Sequence, residues 1–287
     1  MTAPEHNRAV RSTAHENLGD WLRRATELLE RAGIASPKLE AQILAAHGLG
    51  QDRTWVLAHP EHVGTAPLDA LLERRLSHEP LAYIVGWREF YGRRFAVRPG
   101  VLIPRQETEV LVEAALDRIP SASTQRVLDI GVGSGAIAIT IALERPIARV
   151  VGVDVSPEAL AVAASNASAL GAMVEIIEAD LFPPGTAKFD LIVSNPPYVA
   201  RGDAIGEGVA FEPELALYGG DDGLAVFRRL AAEAPARLAP EGWLLVEIGA
   251  GQEHEVESIF TGTGWETQDA RRDLDGHLRV LGFRRPA

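Results

Sequence analysis

Apolar residues at Leu18, Trp21, Leu22, Ala25, Leu28, Leu29 and Ala32 recur at helical spacing and stop at Gly33, which predicts an amphipathic helix. Ser36 followed by Pro37 reads as an N-cap with proline at the first helical position, opening a second helix through Leu39, Ile43 and Leu44 to Gly48. Two further helical patterns, over 52–58 and 66–77, complete a small helical bundle suited to recognition. Residues 1–16 are polar and aperiodic and read as a loose tail. Between Tyr83 and Pro104 short apolar runs are broken by Gly86, Tyr91-Gly92 and Pro99-Gly100. That is the pattern of a β-hairpin connector with Gly92 near its turn.

A helix with Val110, Leu111, Ala114, Ala115 and Leu116 on one face follows, and from Arg126 onward strand and helix patterns alternate. Strands are predicted over 126–130, 150–153, 174–177, 189–193 and 243–248, with helices over 136–143, 157–170, 224–238 and 253–260. Terminal strands fall near Thr267 and over 278–283. Alternation of this kind implies an α/β domain with a largely parallel sheet covered by helices on both faces. In such a sheet, ligands bind outside the carboxyl ends of the strands, where the strand order reverses.

Composition narrows the partners. A chain of 287 residues suits two domains, and a net charge of −12 argues against a large non-specific grip on nucleic acid, which rests on Lys and Arg. The sequence has no cysteine, so it forms neither disulfides nor thiolate metal sites. His47, His59, His62 and His78 share no helix-face spacing with carboxylates, and no metal is expected. The N-terminus lacks an apolar signal core and no run reaches membrane-spanning length, so the expected location is the cytoplasm.

The chemistry gathers at two strand ends. After the run 189–193, Ser194-Asn195-Pro196-Pro197-Tyr198 must leave the sheet, because Pro196 and Pro197 lack N–H groups and push the residues before them into extended conformations. The resulting stiff, donor-poor turn offers the Asn195 side-chain oxygen, a backbone carbonyl and an aromatic face. It suits a planar –NH2 group gripped through both hydrogens. Read alone, the same letters also fit an ordinary proline-rich loop with Tyr198 as packing.

The second end is Asp129-Ile130-Gly131-Val132-Gly133-Ser134-Gly135, where glycines allow a tight turn and close approach of backbone to a ligand. Asp154 ends the next strand, placed for ribose hydroxyls. Asp180 is placed for an adenine amine, with Leu181 lining the base, although a solvated loop acid explains Asp180 equally well. A dinucleotide oxidoreductase competes for this loop. The spacing, however, is G-x-G-x-G, and an acid before the turn suits a cationic ammonium or sulfonium better than a pyrophosphate. The set favours S-adenosylmethionine, with S-adenosylhomocysteine as product.

These residues resemble the class I S-adenosylmethionine-dependent methyltransferases that modify amino groups. More narrowly, they resemble the PrmC/HemK-type peptide chain release factor glutamine methyltransferases. The narrower resemblance rests on Pro80-Leu81-Ala82-Tyr83-Ile84, Glu89-Phe90-Tyr91-Gly92, Leu102-Ile103-Pro104-Arg105 with Glu107-Thr108-Glu109, and Gly133-Ser134-Gly135-Ala136-Ile137-Ala138. Glu212-Pro213, Gly219-Gly220 with Asp222-Gly223-Leu224, Glu247-Ile248-Gly249 and Arg272-Asp273 extend it, from about residue 18 to the end. Gln106 stands where that family has proline, and Val132 where threonine is common.

The resemblance implies a tail over 1–16, a helical recognition domain over 17–80, a hairpin connector over 81–104 and a Rossmann-like methyltransferase domain over 105–287. It implies methylation of the glutamine amide nitrogen in the Gly-Gly-Gln motif of class 1 release factors by a monomer without stable nucleic-acid or membrane partners. Asn195, Pro196 and Tyr198 are then the catalytic set, with Pro197 and Arg105 on the substrate. Asp129, Ile130, Gly131, Val132, Gly133, Asp154, Asp180, Leu181 and Asn195 hold the cofactor. Adenine in DNA or an RNA base is the rival substrate, disfavoured by the absence of a basic target-recognition domain. A catalytically silent binding module is the rival of another class, disfavoured by the polar set around Asn195. Arg105 divides between a substrate contact and an ion pair at a domain interface, and Glu107, Glu109, Glu212 and Glu247 between binding and folding.

Overall fold

Asn17 starts the first helix by accepting the Asp20 N–H on its side chain, and helix α1 (Leu18–Arg31) buries Leu18, Trp21, Ala25 and Leu29 on one face. The computed structural model describes residues 16–284, so the tail read over 1–16 lies, Glu16 apart, outside the described residues. Helix α2 (Pro37–Leu49) begins at Pro37, although the Ser36 side chain makes no capping bond; the proline alone restrains its start. Asp52 caps α3 (Arg53–Ala58), and α4 (Ala66–Leu76) carries Asp69 inward, where it accepts the Trp21 indole N–H at 2.9 Å. This matches the rule that a buried indole finds an acceptor.

The next element corrects the sequence reading. The residues 81–85, assigned to the hairpin connector, form a short helix α5 (Leu81–Val85) closed by Gly86 at φ 84°. By contacts the described chain divides into two compact units. One holds the residues up to Gly86 together with Gly206–Phe211; the other holds Trp87–Ile205 and everything from Glu212 on.

The second unit opens with an antiparallel hairpin, β1 (Trp87–Phe90) and β2 (Arg93–Ala96), turning at Tyr91 and Gly92 as the glycine predicted. Both turn residues have positive φ, 50° and 70°, the twist that matches a two-residue hairpin loop. Phe90 and Phe95 pack edge to face at 6.0 Å and enter the same core as the sheet. The turn is anchored by Glu109, whose carboxylate accepts the Tyr91 N–H at 2.8 Å. A 3-10 turn (Gln106–Thr108) leads into α6 (Glu109–Leu116).

The sheet then assembles from β3 (Arg126–Ile130), β4 (Arg149–Asp154), β5 (Val174–Glu178), β6 (Phe189–Ser194), β7 (Leu238–Glu247), β8 (Glu266–Arg272) and β9 (Leu278–Arg284) in the order β5-β4-β3-β6-β7-β9-β8. The first five strands of that order run parallel, and β9 and β8 are antiparallel additions. Helices α7 (Ala136–Glu144) and α8 (Pro157–Leu170) follow β3 and β4. The chain steps from β3 outward to β4 and later returns to β3's other side with β6. The β3/β6 pair is therefore the switch point at which the glycine loop and Asn195 both emerge.

A second correction concerns 224–238, read as one helix. The α-helix is Ala225–Glu233 (α9), Pro235 lies in a 3-10 turn, and Leu238 already belongs to β7, paired with Phe189. Proline cannot continue the ladder of helical hydrogen bonds, and burying Leu238 completely against the sheet is worth roughly 1.5–3 kcal/mol.

Candidate active site

A cavity of about 260 Å³ opens at the carboxyl ends of β3, β4 and β6, lined by the glycine loop and by Asn195, Pro196 and Pro197 beside it. Every residue lining it belongs to the second unit. Among the described residues there is no cluster of side chains fit to hold a metal ion, and no helix long and apolar enough to cross a membrane.

The glycine loop is held open by its own backbone. Gly131, Gly133 and Gly135 take φ of 77°, 54° and 85°, a region closed to most side chains, and the Gly131 and Val132 N–H groups both donate to the Val153 carbonyl. Val132, where the resembling family has threonine, lines the cavity and packs its side chain against the bare α-carbon of Gly152. Asp154 uses each carboxylate oxygen once, for the N–H of Gly133 at 2.9 Å and of Ser156 at 3.0 Å. An ionised carboxylate has about four acceptor sites, so Asp154 retains capacity for hydroxyls.

Asp129 differs from its simple sequence reading. It does not line the cavity; it is fully buried, with Oδ2 accepting the Ala138 N–H at 3.0 Å and Oδ1 lacking any partner. Burial, with the Asp154 charge adding, pushes its pKa up to about 7 against the pull of the Ala138 bond. The sign is that of a raised acid. The folded state keeps a proton that the unfolded chain loses near pH 4, so Asp129 contributes stability at low pH that disappears as pH rises through about 7. Asp129→Asn removes that titration. Chemical denaturation of the cofactor-free protein should show the variant gaining a few kcal/mol on the wild type between pH 5 and pH 8. Equal pH dependence of the two proteins would refute the assignment.

Ile130 and Leu181 both line the cavity, and Leu181 holds a φ of 66° there, a strained position for a branched side chain. Asp180 also lines it, but its carboxylate is occupied by a bidentate pair with Arg229 at 2.9 and 3.1 Å. Both partners are largely exposed, and the pair is weak enough to open for a competing amine.

Beside the glycine loop, the Ser194 hydroxyl donates to the Ile130 carbonyl at 2.9 Å and ties the ends of β6 and β3 together. The Asn195 Nδ2 donates to Thr108 Oγ1 at 3.1 Å. Tyr198 is not among the lining residues. Its ring lies against Gly249, its carbonyl accepts the Gln252 side-chain N–H at 2.9 Å, and its hydroxyl is pushed up to about 12 by burial and then by the Glu247 charge.

Arg105 lines the cavity and binds Glu212 at 2.5 Å, while the other Glu212 oxygen accepts the Ile103 N–H at 2.9 Å. Both residues lie in one unit, so this ion pair fastens two segments of the methyltransferase unit to each other. Glu212 and Glu109 thus serve the fold. Sequence reasoning quoted Thr108 without a role and did not reach Arg229; their partners lie 87 and 49 residues away and no local spacing connects them.

Similarity to known proteins follows the same division of the chain. A PrmC N-terminal domain matches residues 20–86 and a methyltransferase small domain matches 104–210. A release factor glutamine methyltransferase of Bordetella pertussis is 45% identical over 264 residues, covering 89% of this chain and 97% of that protein. One from Geobacter sulfurreducens is 44% identical, covering 92% and 94%. Among solved structures, a methyltransferase from Pyrococcus furiosus superimposes with a TM-score of 0.54 at 18% identity, over 69% of this chain and 91% of that one. The Thermus thermophilus 16S rRNA methyltransferase solved with S-adenosylmethionine and guanosine gives 0.50 at 22% identity, over 69% and 49%. These two share the fold of the α/β unit.

Proposed function

From the premise that the chain belongs to the release factor glutamine methyltransferase family, we propose that it methylates the side-chain amide nitrogen of the glutamine in the Gly-Gly-Gln motif of class 1 peptide chain release factors. It is a methyltransferase, and its cofactor is S-adenosylmethionine. The cavity fits that group in three respects. The Asp129 Oδ1 is a buried acceptor without a partner beside the glycine turn, Asp154 keeps acceptor capacity for ribose hydroxyls, and Ile130 with Leu181 forms an apolar slot for a base. A cation arriving near Asp129 holds its carboxyl ionised. Asp180 accepts the adenine amine once Arg229 releases it. When bound, S-adenosylmethionine supplies an electrophilic methyl on a sulfonium sulfur.

The difficulty on the substrate side is that an amide nitrogen is a poor nucleophile, its lone pair being delocalised into the carbonyl. The observation that carries the proposal is that Asn195 and Pro196 line the same cavity as the glycine loop. The Asn195 Oδ1 and the Pro196 carbonyl each accept one N–H of the glutamine –NH2, which fixes the plane of the amide and turns its nitrogen toward the cofactor side. Pro197 has no N–H to compete for those carbonyls. In-line positioning supplies roughly 7–11 kcal/mol of a barrier, so no strong base is needed before transfer, and the proton leaves the nitrogen once its methylation has made it acidic. Tyr198 follows the turn with its ring against Gly249, and stacking of that ring on the substrate amide belongs to this same proposal. The helical unit docks the release factor.

Mass spectrometry of a release factor and of a DNA duplex, each incubated with the protein and S-adenosylmethionine, tests the reading. One added methyl on the glutamine of Gly-Gly-Gln is the expected result. Methylated adenine beside an unmodified release factor would overturn the substrate.

A further inference from the structure

The turn Asn195-Pro196-Pro197 can aim a glutamine amide only if it is itself held still. Two of its residues are prolines and bring no N–H, so the turn has few donors of its own and is held at its two ends. The near end is the completely buried Ser194, whose hydroxyl donates to the Ile130 carbonyl at 2.9 Å. The far end is Tyr198, and a side chain from the loop after β7 reaches it.

We propose that Gln252 is a positioning residue for the reaction, the far anchor of this turn. The proposal rests on the function just stated and deepens it. The Gln252 Nε2 donates to the Tyr198 carbonyl at 2.9 Å, and its Oε1 accepts the Gly249 N–H at 3.0 Å. Both partners are backbone groups of fixed polarity. The Gly249 N–H can only donate and the Tyr198 carbonyl can only accept, so a single orientation of the carboxamide satisfies both. Half a turn would set donor against donor and acceptor against acceptor.

The Gln252 side chain is not spent on its own helix. Gln252 stands at the N-cap of α10 (Glu253–Thr261), where a side-chain oxygen can accept a helix N–H, yet it makes no capping bond. Its backbone does belong to the helix, with the Val256 N–H donating to the Gln252 carbonyl at 3.0 Å. Val256 and Phe260 are completely buried, and Phe260 stacks on Phe283 of β9 at 4.1 Å. The anchor therefore rises from an element fixed to the sheet. Gly249 leaves it room, since a β-carbon there would lie 2.7 Å from the Gln252 Oε1 and 3.0 Å from the Tyr198 ring.

A shift at Tyr198 is not absorbed on the way back to Asn195. Pro196 and Pro197 have fixed φ, and Asn195 and Pro196 each precede a proline and are confined to extended backbone. Loss of the Gln252 bond therefore moves the Pro196 carbonyl and the Asn195 side chain together. Gln252 touches no reacting atom; it acts through the turn.

The test uses the intact protein with its four tyrosines fluorinated. The Tyr198 fluorine signal is identified by its loss in Tyr198→Phe, and the signals of Tyr83 and Tyr91 report whether each variant folds. Gln252→Met keeps the length and removes both hydrogen bonds. Gln252→Glu keeps an acceptor for Gly249 and, ionised at pH 8, removes only the donor to Tyr198. Both should move the Tyr198 signal by more than its line width and leave those of Tyr83 and Tyr91 in place. Both should lower kcat on the order of 10- to 100-fold, the scale on which an ångström of misplacement weakens catalysis. The KM for release factor and the calorimetric Kd for S-adenosylhomocysteine should stay within about threefold. An unmoved Tyr198 signal, wild-type kcat in Gln252→Met, or an impaired Gln252→Met beside a normal Gln252→Glu would overturn the anchor. So would a loss of cofactor affinity in proportion to kcat. If the wild-type protein methylates no glutamine, the substrate reading fails on its own, and the fluorine spectra still decide whether Gln252 holds the turn.

Discussion

Asn195→Ala should lower kcat for glutamine methylation by about 10³-fold while S-adenosylhomocysteine binds within about fivefold of wild type. The magnitude follows from losing one preorganised hydrogen-bonding group at a reacting centre, which removes 10²–10³ in comparable sites, and from the greater freedom of a glutamine amide then held by the Pro196 carbonyl alone. The expected split between kcat and cofactor affinity has a structural basis. The cofactor's other proposed contacts, at Asp154, Ile130 and Leu181, come from β3, β4 and the loop after β5, and none of them passes through the Asn195 side chain. Stability should change little, because the amide makes a single hydrogen bond, to Thr108. Quenched-flow or steady-state methylation with matched calorimetry distinguishes the outcomes. A variant that retains turnover within a few-fold would show that the substrate amide is held by other groups. A variant that loses cofactor binding in proportion would move Asn195 from the reaction to the cofactor.

Fold and site were legible to different depths, and the reasons are physical. Parallel strands buried on both faces read as continuous apolar runs, so Val127-Leu128 and Leu191-Ile192-Val193 declared themselves, and the alternation with helices fixed the α/β class. The short helix Leu81–Val85 did not, since five residues are too few for a period of 3.6 to show. The helix read through Leu238 went too far because Ala225–Glu233, a 3-10 turn and the start of β7 are all apolar enough to share one pattern. At the site, most residues carried by local motifs, namely 130–134 of the glycine loop, Asp154 and Asn195-Pro196-Pro197, line one cavity. What sequence could not supply was each group's partner. The bidentate hold of Arg229 on Asp180, the burial of Asp129 and the bond from Asn195 to Thr108 depend on contacts between distant segments.

Gly223→Ala should be far more damaging than an alanine at another glycine of positive φ, because the loop over 219–223 grips the turn after β6 backbone to backbone. Gly219 N–H donates to the Val199 carbonyl at 2.9 Å, Val199 N–H donates to the Leu217 carbonyl at 2.9 Å, and Arg201 N–H donates to the Gly220 carbonyl at 3.0 Å. A β-carbon at Gly223 would sit 2.3 Å from the Tyr198 carbonyl oxygen, and one at Gly219 would sit 2.3 Å from that of Pro197. Neither neighbour is a flexible side chain that can swing away. Tyr198 is held in addition by the Gln252 side chain, and Pro197 by its ring. Gly223 also has φ of 75°, which alone costs an alanine roughly 1–2 kcal/mol. Gly202, at φ 100° with open space around its α-carbon, isolates that backbone contribution. Gly202→Ala should therefore lose about 1–2 kcal/mol by denaturant titration and keep its kcat. Gly223→Ala should either lose at least about 3 kcal/mol or fold with the turn displaced and kcat reduced more than about 10-fold, since misplacing a positioning group by an ångström weakens catalysis on that scale. If the two variants behave alike, the loop does not clasp Tyr198, and the placement of Asn195 must depend on the β6 strand end and Thr108.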